Sequence, residues 1–122
     1  MNTKNTPSVV STFRPLSKYN WGKNCEAWNF VDNEKLSVKL EKMPAGAEEL
    51  LHFHNQSQQF FYILRGRAVF DIDEVILIVQ EGEGILIEEG SRHRIMNKEE
   101  EQALEFLVCS QPSTKNDREN LA

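Results

Sequence analysis

The chain has 122 residues, of which 39% are hydrophobic and 27% charged, so it is long enough for one compact core and too short for two ordinary domains. A formal net charge of -5 argues against a phosphate-binding surface, which needs clustered Lys and Arg, so nucleic acid is not expected as a partner. The longest aliphatic run, Val75 to Val79, is far shorter than the roughly 20 residues that cross a bilayer, so no membrane span is predicted.

The two ends of the chain differ in composition from its middle. Residues 1–20 are polar and interrupted by proline, and residues 111–122 are mostly polar. We therefore expect an N-terminal arm at 1–20, a barrel domain at 21–110 and a C-terminal tail at 111–122. Met1 to Pro7 lacks an apolar stretch of signal-peptide length, which makes the cytoplasm the expected location.

Between these ends, hydrophobic residues repeat with a period of two in short segments separated by Gly, Pro or charged turns. This pattern predicts an antiparallel all-β fold, a sandwich or barrel of jelly-roll type. In Leu36 to Glu41 the alternation is strict, so the apolar residues are expected inside and the polar ones in water. Eight strands are predicted in all: 36–41, 49–54, 59–64, 68–72, 75–79, 85–87, 93–97 and 104–109. The charged loop at 98–101 is either irregular or one helical turn.

Three histidines are the candidate metal ligands. His52 and His54 lie two apart in a predicted strand, so their side chains leave the same face with Cα atoms about 6.5 Å apart. His93 lies in a later strand that could meet the pair across the sheet. Imidazoles in this arrangement are typical of a divalent transition-metal site, although a lone His-x-His is more often structural.

At this point the sequence resembles the cupin superfamily. The first cupin motif places Gly, His-x-His, Glu and Gly at fixed spacings, and here those positions hold Gly46, His52 and His54, Gln59, and Gly66. The second motif places Gly, Pro-x-Gly, His and Asn, matched by Gly82, Glu88 and Gly90, His93, and Asn97. All three histidines fall on motif positions, and every internal spacing is kept.

The resemblance implies a single-domain double-stranded β-helix (jelly-roll) barrel with one divalent metal ion, Zn, Fe, Mn or Ni, near one mouth. It also implies a homodimer and a small-molecule ligand or substrate.

One motif position departs from the family, because Gln59 replaces the usual glutamate ligand. An amide oxygen can bind a metal but brings no negative charge, so the ion would keep its full charge and be more Lewis acidic. The alternative is that Gln59 only forms hydrogen bonds within the barrel, with the metal on three histidines or absent. We expect Gln59 to be the fourth ligand.

Residues that share a face with these ligands are expected to line the pocket: Leu50, Phe61, Ile63, Ile95 and Asn97. Glu48 and Glu49 are expected at a solvated strand end, and no residue stands out as a separate acid or base. Tyr62, Arg92 and Arg94 are expected outside the barrel, and Cys25 and Cys109 are expected to be reduced thiols.

Two functions from different classes remain open. The first is a metalloenzyme of the isomerase, lyase, cyclase or dioxygenase type that acts on a small oxygenated metabolite. The second is a non-catalytic cupin that binds a small ligand or a metal at a weakened or vestigial site. The fold does not choose between them.

Overall fold

The computed structural model describes residues 7–121, so the first six residues of the arm expected at 1–20 lie outside that range. The described residues form strands and no helix, and hence no helix long and apolar enough to span a membrane. The strands are β1 (Ser17–Trp21), β2 (Cys25–Asp32), β3 (Ser37–Met43), β4 (His52–Phe53), β5 (Gln58–Arg65), β6 (Arg67–Ile72), β7 (Val75–Gln80), β8 (Gly84–Ile87), β9 (His93–Met96), β10 (Leu104–Gln111) and β11 (Glu119–Asn120).

The strands form two antiparallel sheets that enclose one core. The six-stranded sheet has the order β1-β2-β3-β10-β5-β8, and the five-stranded sheet has the order β11-β4-β9-β6-β7. Non-consecutive neighbours such as β3 and β10 give the crossovers of a jelly roll. The predicted all-β jelly-roll fold is therefore confirmed, and the loop at 98–101 contains no helical turn.

The core fills the space between the sheets below the histidines. Phe61, Phe70 and Phe106 are almost fully buried and pack against one another with ring centroids 5.2 and 5.6 Å apart, within the usual range for aromatic pairs. Ile63 and Ile95 belong to the same cluster. This packed layer forms the floor beneath the site.

The predicted orientation of β3 is wrong. Ser37 and Met43 are buried, and Lys39 and Glu41 line an internal cavity, whereas Val38 and Leu40 lie on the opposite, outer face. The two faces of the strand do alternate as predicted. The polar residues face inwards, however, because this end of the barrel encloses a cavity and not an apolar core.

Parts of both expected arms lie in the sheets. β1 pairs with β2 along its whole length, from Ser17 opposite Asn29 to Trp21 opposite Cys25. At the other end, β11 pairs with β4 and places Asn120 opposite His52. The barrel therefore extends beyond the expected limits of 21–110, and the C-terminal segment lies directly against the histidine strand.

Asp117 holds the C-terminal segment in place. Its carboxylate accepts hydrogen bonds from the backbone N–H groups of Asn55, Gln56 and Ser57, at 2.7, 3.0 and 3.0 Å. These bonds lower the pKa of Asp117, although partial desolvation opposes them. The same residue's carbonyl accepts a hydrogen bond from His54 Nδ1, so Asp117 connects the tail to the candidate site.

Asp117→Ala is expected to destabilise the fold by about 2 kcal/mol, because three backbone donors lose a charged acceptor. Thermal unfolding should show a lower Tm, and Lys115→Ala, which removes an exposed side chain from the same segment, should leave the Tm unchanged. Equal Tm values for the two variants would contradict this role of the carboxylate.

Candidate metal centre

The sheet register brings the three histidines together. His52 on β4 lies directly opposite His93 on β9, and His54 follows two residues later on the same face as His52. All three are buried, and their ligating nitrogens lie within 4.8 Å of one another. The ring centroids are 4.3 to 5.5 Å apart. One ion can therefore be reached by all three imidazoles after small side-chain adjustments.

Each imidazole is oriented by a backbone carbonyl. The Nδ1–H groups of His52, His54 and His93 donate to the carbonyl oxygens of Leu50, Asp117 and Ser91, at 2.7, 2.5 and 2.9 Å. This arrangement fixes the proton on Nδ1 and leaves the Nε2 lone pair free, as in metal sites where an outer partner orients each ligand. His54 Nε2 is buried and has no hydrogen-bond partner among the described residues, so this atom is available as a metal ligand.

Gln59 completes the set of donor atoms. Its Oε1 atom lies 3.1 Å from His93 Nε2, and its Nε2–H donates to Ser110 Oγ at 3.0 Å. The oxygen and nitrogen of the Gln59 amide exchange places when the amide rotates, so this side chain can present Oε1 to an ion held by the histidines or donate a hydrogen bond to His93 Nε2. Its position beside His93 and Ser110 is compatible with both the ligand expectation and hydrogen bonding within the barrel.

The histidines are neutral near pH 7. Burial lowers the pKa of His52 to about 3 and that of His93 to about 4, despite the opposing hydrogen bonds to backbone carbonyls. Burial also lowers the pKa of His54. A metal ion thus has no proton to displace at neutral pH, which favours binding.

A cavity of about 550 Å³ opens onto His52, His54 and Gln59. Of the expected lining residues, Leu50 and Phe61 line this cavity. Ile63 and Ile95 lie in the core instead, and Asn97 is buried with its Nδ2–H groups donating to the carbonyls of Met43 and Gln102. These three residues point into the barrel as predicted, but they lie deeper than the cavity and do not line it.

Both chain ends contribute to the cavity wall. Tyr19 and Trp21 come from β1, and Thr114, Arg118 and Asn120 come from the C-terminal segment. The cavity is therefore more polar than the apolar pocket expected from the sequence.

Three carboxyl groups line this cavity, those of Glu41, Glu48 and Glu49, and the sequence did not mark the first or the last of them as a candidate for acid–base chemistry. The side chain of Glu49 is only 12% exposed, accepts a hydrogen bond from the Ile95 N–H at 3.2 Å, and lies 3.7 Å from Arg118. The prediction of a solvated strand end is therefore wrong for Glu49. It holds for Glu48, which is exposed and pairs with Lys98 and Arg94.

Glu41 is the other unmarked carboxyl group. Burial and then the Glu49 carboxylate raise the pKa of Glu41 to about 8, against smaller opposing effects of Lys39, Trp21 and Arg118. The buried Trp21 indole N–H is close enough to contribute, but it makes no well-formed hydrogen bond among the described residues. Burial likewise raises the pKa of Glu49 to about 7, with Arg118 as the main opposing group. The sequence carried no sign of this, since it does not show which strands meet at a cavity.

The predictions for three residues outside the barrel and for the two cysteines are confirmed. Tyr62 and Arg92 are exposed, and Arg94 lies on the outside with Glu48 and Asp71. Cys25 and Cys109 are both free.

Comparison with known proteins identifies the family. Residues 39–110 match the family model for the cupin domain. An uncharacterized protein of Methanocaldococcus jannaschii is 33% identical over 84 residues, which cover 69% of this chain and 66% of that protein.

Similar structures share the fold at low sequence identity. An RmlC-like cupin from Shewanella frigidimarina superposes with a TM-score of 0.77 at 16% identity, covering 90% of this chain and 96% of that one. A cupin-superfamily sugar phosphate isomerase from Silicibacter pomeroyi gives 0.72 at 17%, covering 87% and 76%. The nucleoside dehydratase Pac13, which is from Streptomyces, gives 0.78 at 13%, covering 95% and 92%. The family match spans both histidine motifs, and the chain therefore belongs to the cupin family.

Proposed function

We propose that this cupin binds one divalent transition-metal ion through His52, His54, His93 and Gln59, and that it catalyses proton transfer on a small oxygenated metabolite. The observation that carries the proposal is the cluster of three buried imidazoles whose ring nitrogens come within 4.8 Å of one another, each ring oriented by a hydrogen bond from Nδ1 to a backbone carbonyl. Of the four reaction types expected from the sequence, the carboxyl groups of Glu41 and Glu49 favour isomerase, lyase or cyclase chemistry over oxygen activation.

The metal would supply Lewis-acid chemistry by polarising a substrate oxygen. Because four neutral ligands leave the charge of the ion uncompensated, this polarisation should be strong. Zinc, iron, manganese and nickel all accept imidazole and oxygen donors, so the ligand set does not select one of them.

Glu41 is the proposed proton donor and acceptor. It lines the cavity with the ligands and has no basic group within salt-bridge distance among the described residues, so its carboxyl is free to exchange a proton with a bound substrate. Glu49 is held in place by Arg118 and the Ile95 N–H, so its carboxylate keeps a fixed position as the charged neighbour of Glu41. A carboxyl whose pKa lies near the working pH is suited to general acid–base catalysis.

Two of the structural relatives support this class of substrate by their names alone. A sugar phosphate isomerase and a nucleoside dehydratase both act on polyhydroxylated compounds. This likeness concerns the fold, so the substrate class is part of the proposal.

A non-catalytic cupin that binds a small ligand or metal is the alternative. It is favoured by one observation, the replacement of the charged glutamate ligand by Gln59, which weakens the attraction for a cation.

We also propose, from the family resemblance and the sequence, that the protein is a homodimer and that it is located in the cytoplasm.

Metal analysis of untagged protein purified without chelator is expected to find close to one ion per chain. His52→Ala should bind zinc at least about tenfold more weakly, and Gln59→Glu should bind it more tightly, because it restores a negative ligand. Arg92→Ala, an exposed change near His93, is the control. A wild-type protein that refuses added zinc, iron, manganese and nickel would contradict the metal centre.

Glu41→Gln is expected to change how the stability of the metal-free protein depends on pH. The folded-state pKa of about 8 lies above the ordinary value of 4.5, so burying the charge costs nothing below pH 4.5 and an increasing amount as pH rises to 8. The variant should therefore nearly match the wild type at about pH 4, where the carboxyl is largely protonated in both states, and exceed its free energy of unfolding by about 2 to 4 kcal/mol at pH 8. Urea titrations at both pH values measure this, with Glu100→Gln as the exposed control. A pH-independent difference would contradict it.

Catalysis is tested by solvent deuterium incorporation into α-hydroxyketones and 1,3-dicarbonyl compounds, followed by NMR with the metal-loaded protein. Glu41→Gln should slow exchange by about 100-fold while the ion stays bound, and His93→Ala should abolish metal-dependent exchange. Glu100→Gln, at an exposed carboxylate outside the cavity, should exchange like the wild type. A loaded wild-type protein that exchanges none of the panel would favour the binding alternative.

A further inference from the structure

A second, smaller cavity lies beside the metal cavity and shares part of its wall. It has a volume of about 310 Å³, and we call it the side pocket. Its lining comes from three strands and the C-terminal segment: Tyr19, Asn29, Asp32, Ser37, Lys39, Ser113, Thr114 and Lys115. Tyr19, Lys39 and Thr114 also line the metal cavity. One bound molecule can therefore extend from one cavity into the other.

The side pocket contains two buried polar side chains with unsatisfied atoms. Asn29 and Ser37 are only 6% and 3% exposed, and both line the pocket. One end of the Asn29 amide bonds to Ser17 Oγ at 2.7 Å, whereas the other end has no hydrogen-bond partner among the described residues. The Ser37 hydroxyl has none either within that part of the chain. Because buried polar groups are nearly always hydrogen-bonded, these two side chains indicate a polar ligand.

The charge of the side pocket favours an anionic ligand. Lys39 is half-buried, donates a hydrogen bond to the Tyr19 hydroxyl at 2.8 Å and makes no salt bridge among the described residues. Lys115 adds a second positive charge at the exposed rim, where Asp32 is the one acidic residue of the lining. A half-buried ammonium group without a counter-ion attracts a negatively charged group.

The distribution of donors favours a phosphate group over a carboxylate. Asn29 belongs to β2, Ser37 and Lys39 belong to β3, and the hydroxyls of Ser113 and Thr114 come from the C-terminal segment. The rotating hydroxyls and the Asn29 amide, whose two ends exchange places when it rotates, can all donate to an anion. A phosphate monoester presents three acceptor oxygens in different directions, whereas the two oxygens of a carboxylate lie in one plane.

The strand register gives the distance from the side pocket to the candidate ligands. Ser37 on β3 is paired with Ser110 on β10, which is paired in turn with Gln59 on β5, and all three are buried. Two strand spacings of about 4.8 Å place the Cα atoms of Ser37 and Gln59 roughly 10 Å apart. An extended chain spans about 1.2 Å per bond, so about eight bonds cover this distance. A sugar phosphate of five or six carbons has this length.

We propose that the side pocket binds the phosphate group of a phosphorylated hydroxyketone of five or six carbons, while the carbonyl end of the same molecule reaches the histidine cluster. The second half of this proposal rests on the function proposed above. Phosphate binding by Asn29, Ser37 and Lys39 does not, because none of these residues is a candidate metal ligand. Lys39 lies in the wall that both cavities share and so contacts the substrate between its two ends.

Phosphate binding is tested on the metal-free full chain, so that no ion competes for the anion. Titration with inorganic phosphate, followed by ¹H–¹⁵N NMR, should shift the side-chain amide signals of Asn29. Lys39→Gln should weaken binding about 10- to 30-fold, because it removes the half-buried positive charge. Ser37→Ala should weaken it about fivefold and leave the Tm unchanged or higher, because the hydroxyl it removes is buried and unpaired in the folded chain.

Lys35→Gln is the matched control, because it removes the same charge from an exposed lysine in the β2–β3 turn, outside both cavities. It should bind phosphate like the wild type, and acetate should bind to the wild type at least about tenfold more weakly than phosphate does. Unshifted Asn29 signals, or equal weakening by Lys35→Gln and Lys39→Gln, overturn the site. Equal affinities for acetate and phosphate overturn the choice of phosphate.

The connection between the two cavities is tested by calorimetry on the zinc-loaded protein. Ribulose 5-phosphate should bind at least about tenfold more tightly than dihydroxyacetone phosphate, which is too short to reach both sites, and than unphosphorylated ribulose. Lys39→Gln should reduce the affinity for ribulose 5-phosphate to about that for ribulose. Equal affinities for the two ketose phosphates overturn the connection and leave the phosphate site standing. A protein that refuses zinc fails the proposed function instead, and the metal-free titration still decides whether the side pocket binds phosphate.

Discussion

The arrangement on which the site depends is the hydrogen bond from each imidazole Nδ1–H to a backbone carbonyl. Three such bonds fix the same tautomer in His52, His54 and His93, whose ring nitrogens come within 4.8 Å of one another. Burial then keeps the rings neutral, and it leaves His54 Nε2 without a partner among the described residues. A buried acceptor without a donor is costly, so the arrangement is consistent with a cation at this point.

The ends of the chain complete what the cupin motifs begin. The carbonyl that orients His54 belongs to Asp117, and the base that holds Glu49 is Arg118, both in the C-terminal segment. Trp21, next to Glu41, comes from β1. All three residues lie outside the family match at 39–110, so the histidine cluster lies within the family match while this chain's own ends shape the cavity around it.

Much of the fold and the histidine cluster could be predicted from sequence because both depend on local periodicity and fixed spacing. The period of two gave the strands, and the spacing of His52, His54 and His93 gave the cluster. The inward face of β3 could not be predicted, since alternation shows a period but not which face meets a cavity. Glu41 and Glu49 were missed for this reason. Ile63, Ile95 and Asn97 were predicted to line the cavity because alternation shows which face of a strand a side chain is on, but not how deep in the barrel it lies.

X-ray absorption spectroscopy of the zinc-loaded protein at the zinc edge identifies the atoms bound to the ion. A centre formed by the three histidines and Gln59 should give scattering from three imidazole rings and at least one oxygen, at about 2.0 to 2.2 Å, without sulfur. In Gln59→Ala the oxygen contribution should change while the three rings remain. Fewer than three imidazoles, or a sulfur ligand at about 2.3 Å, would contradict a centre built on His52, His54 and His93.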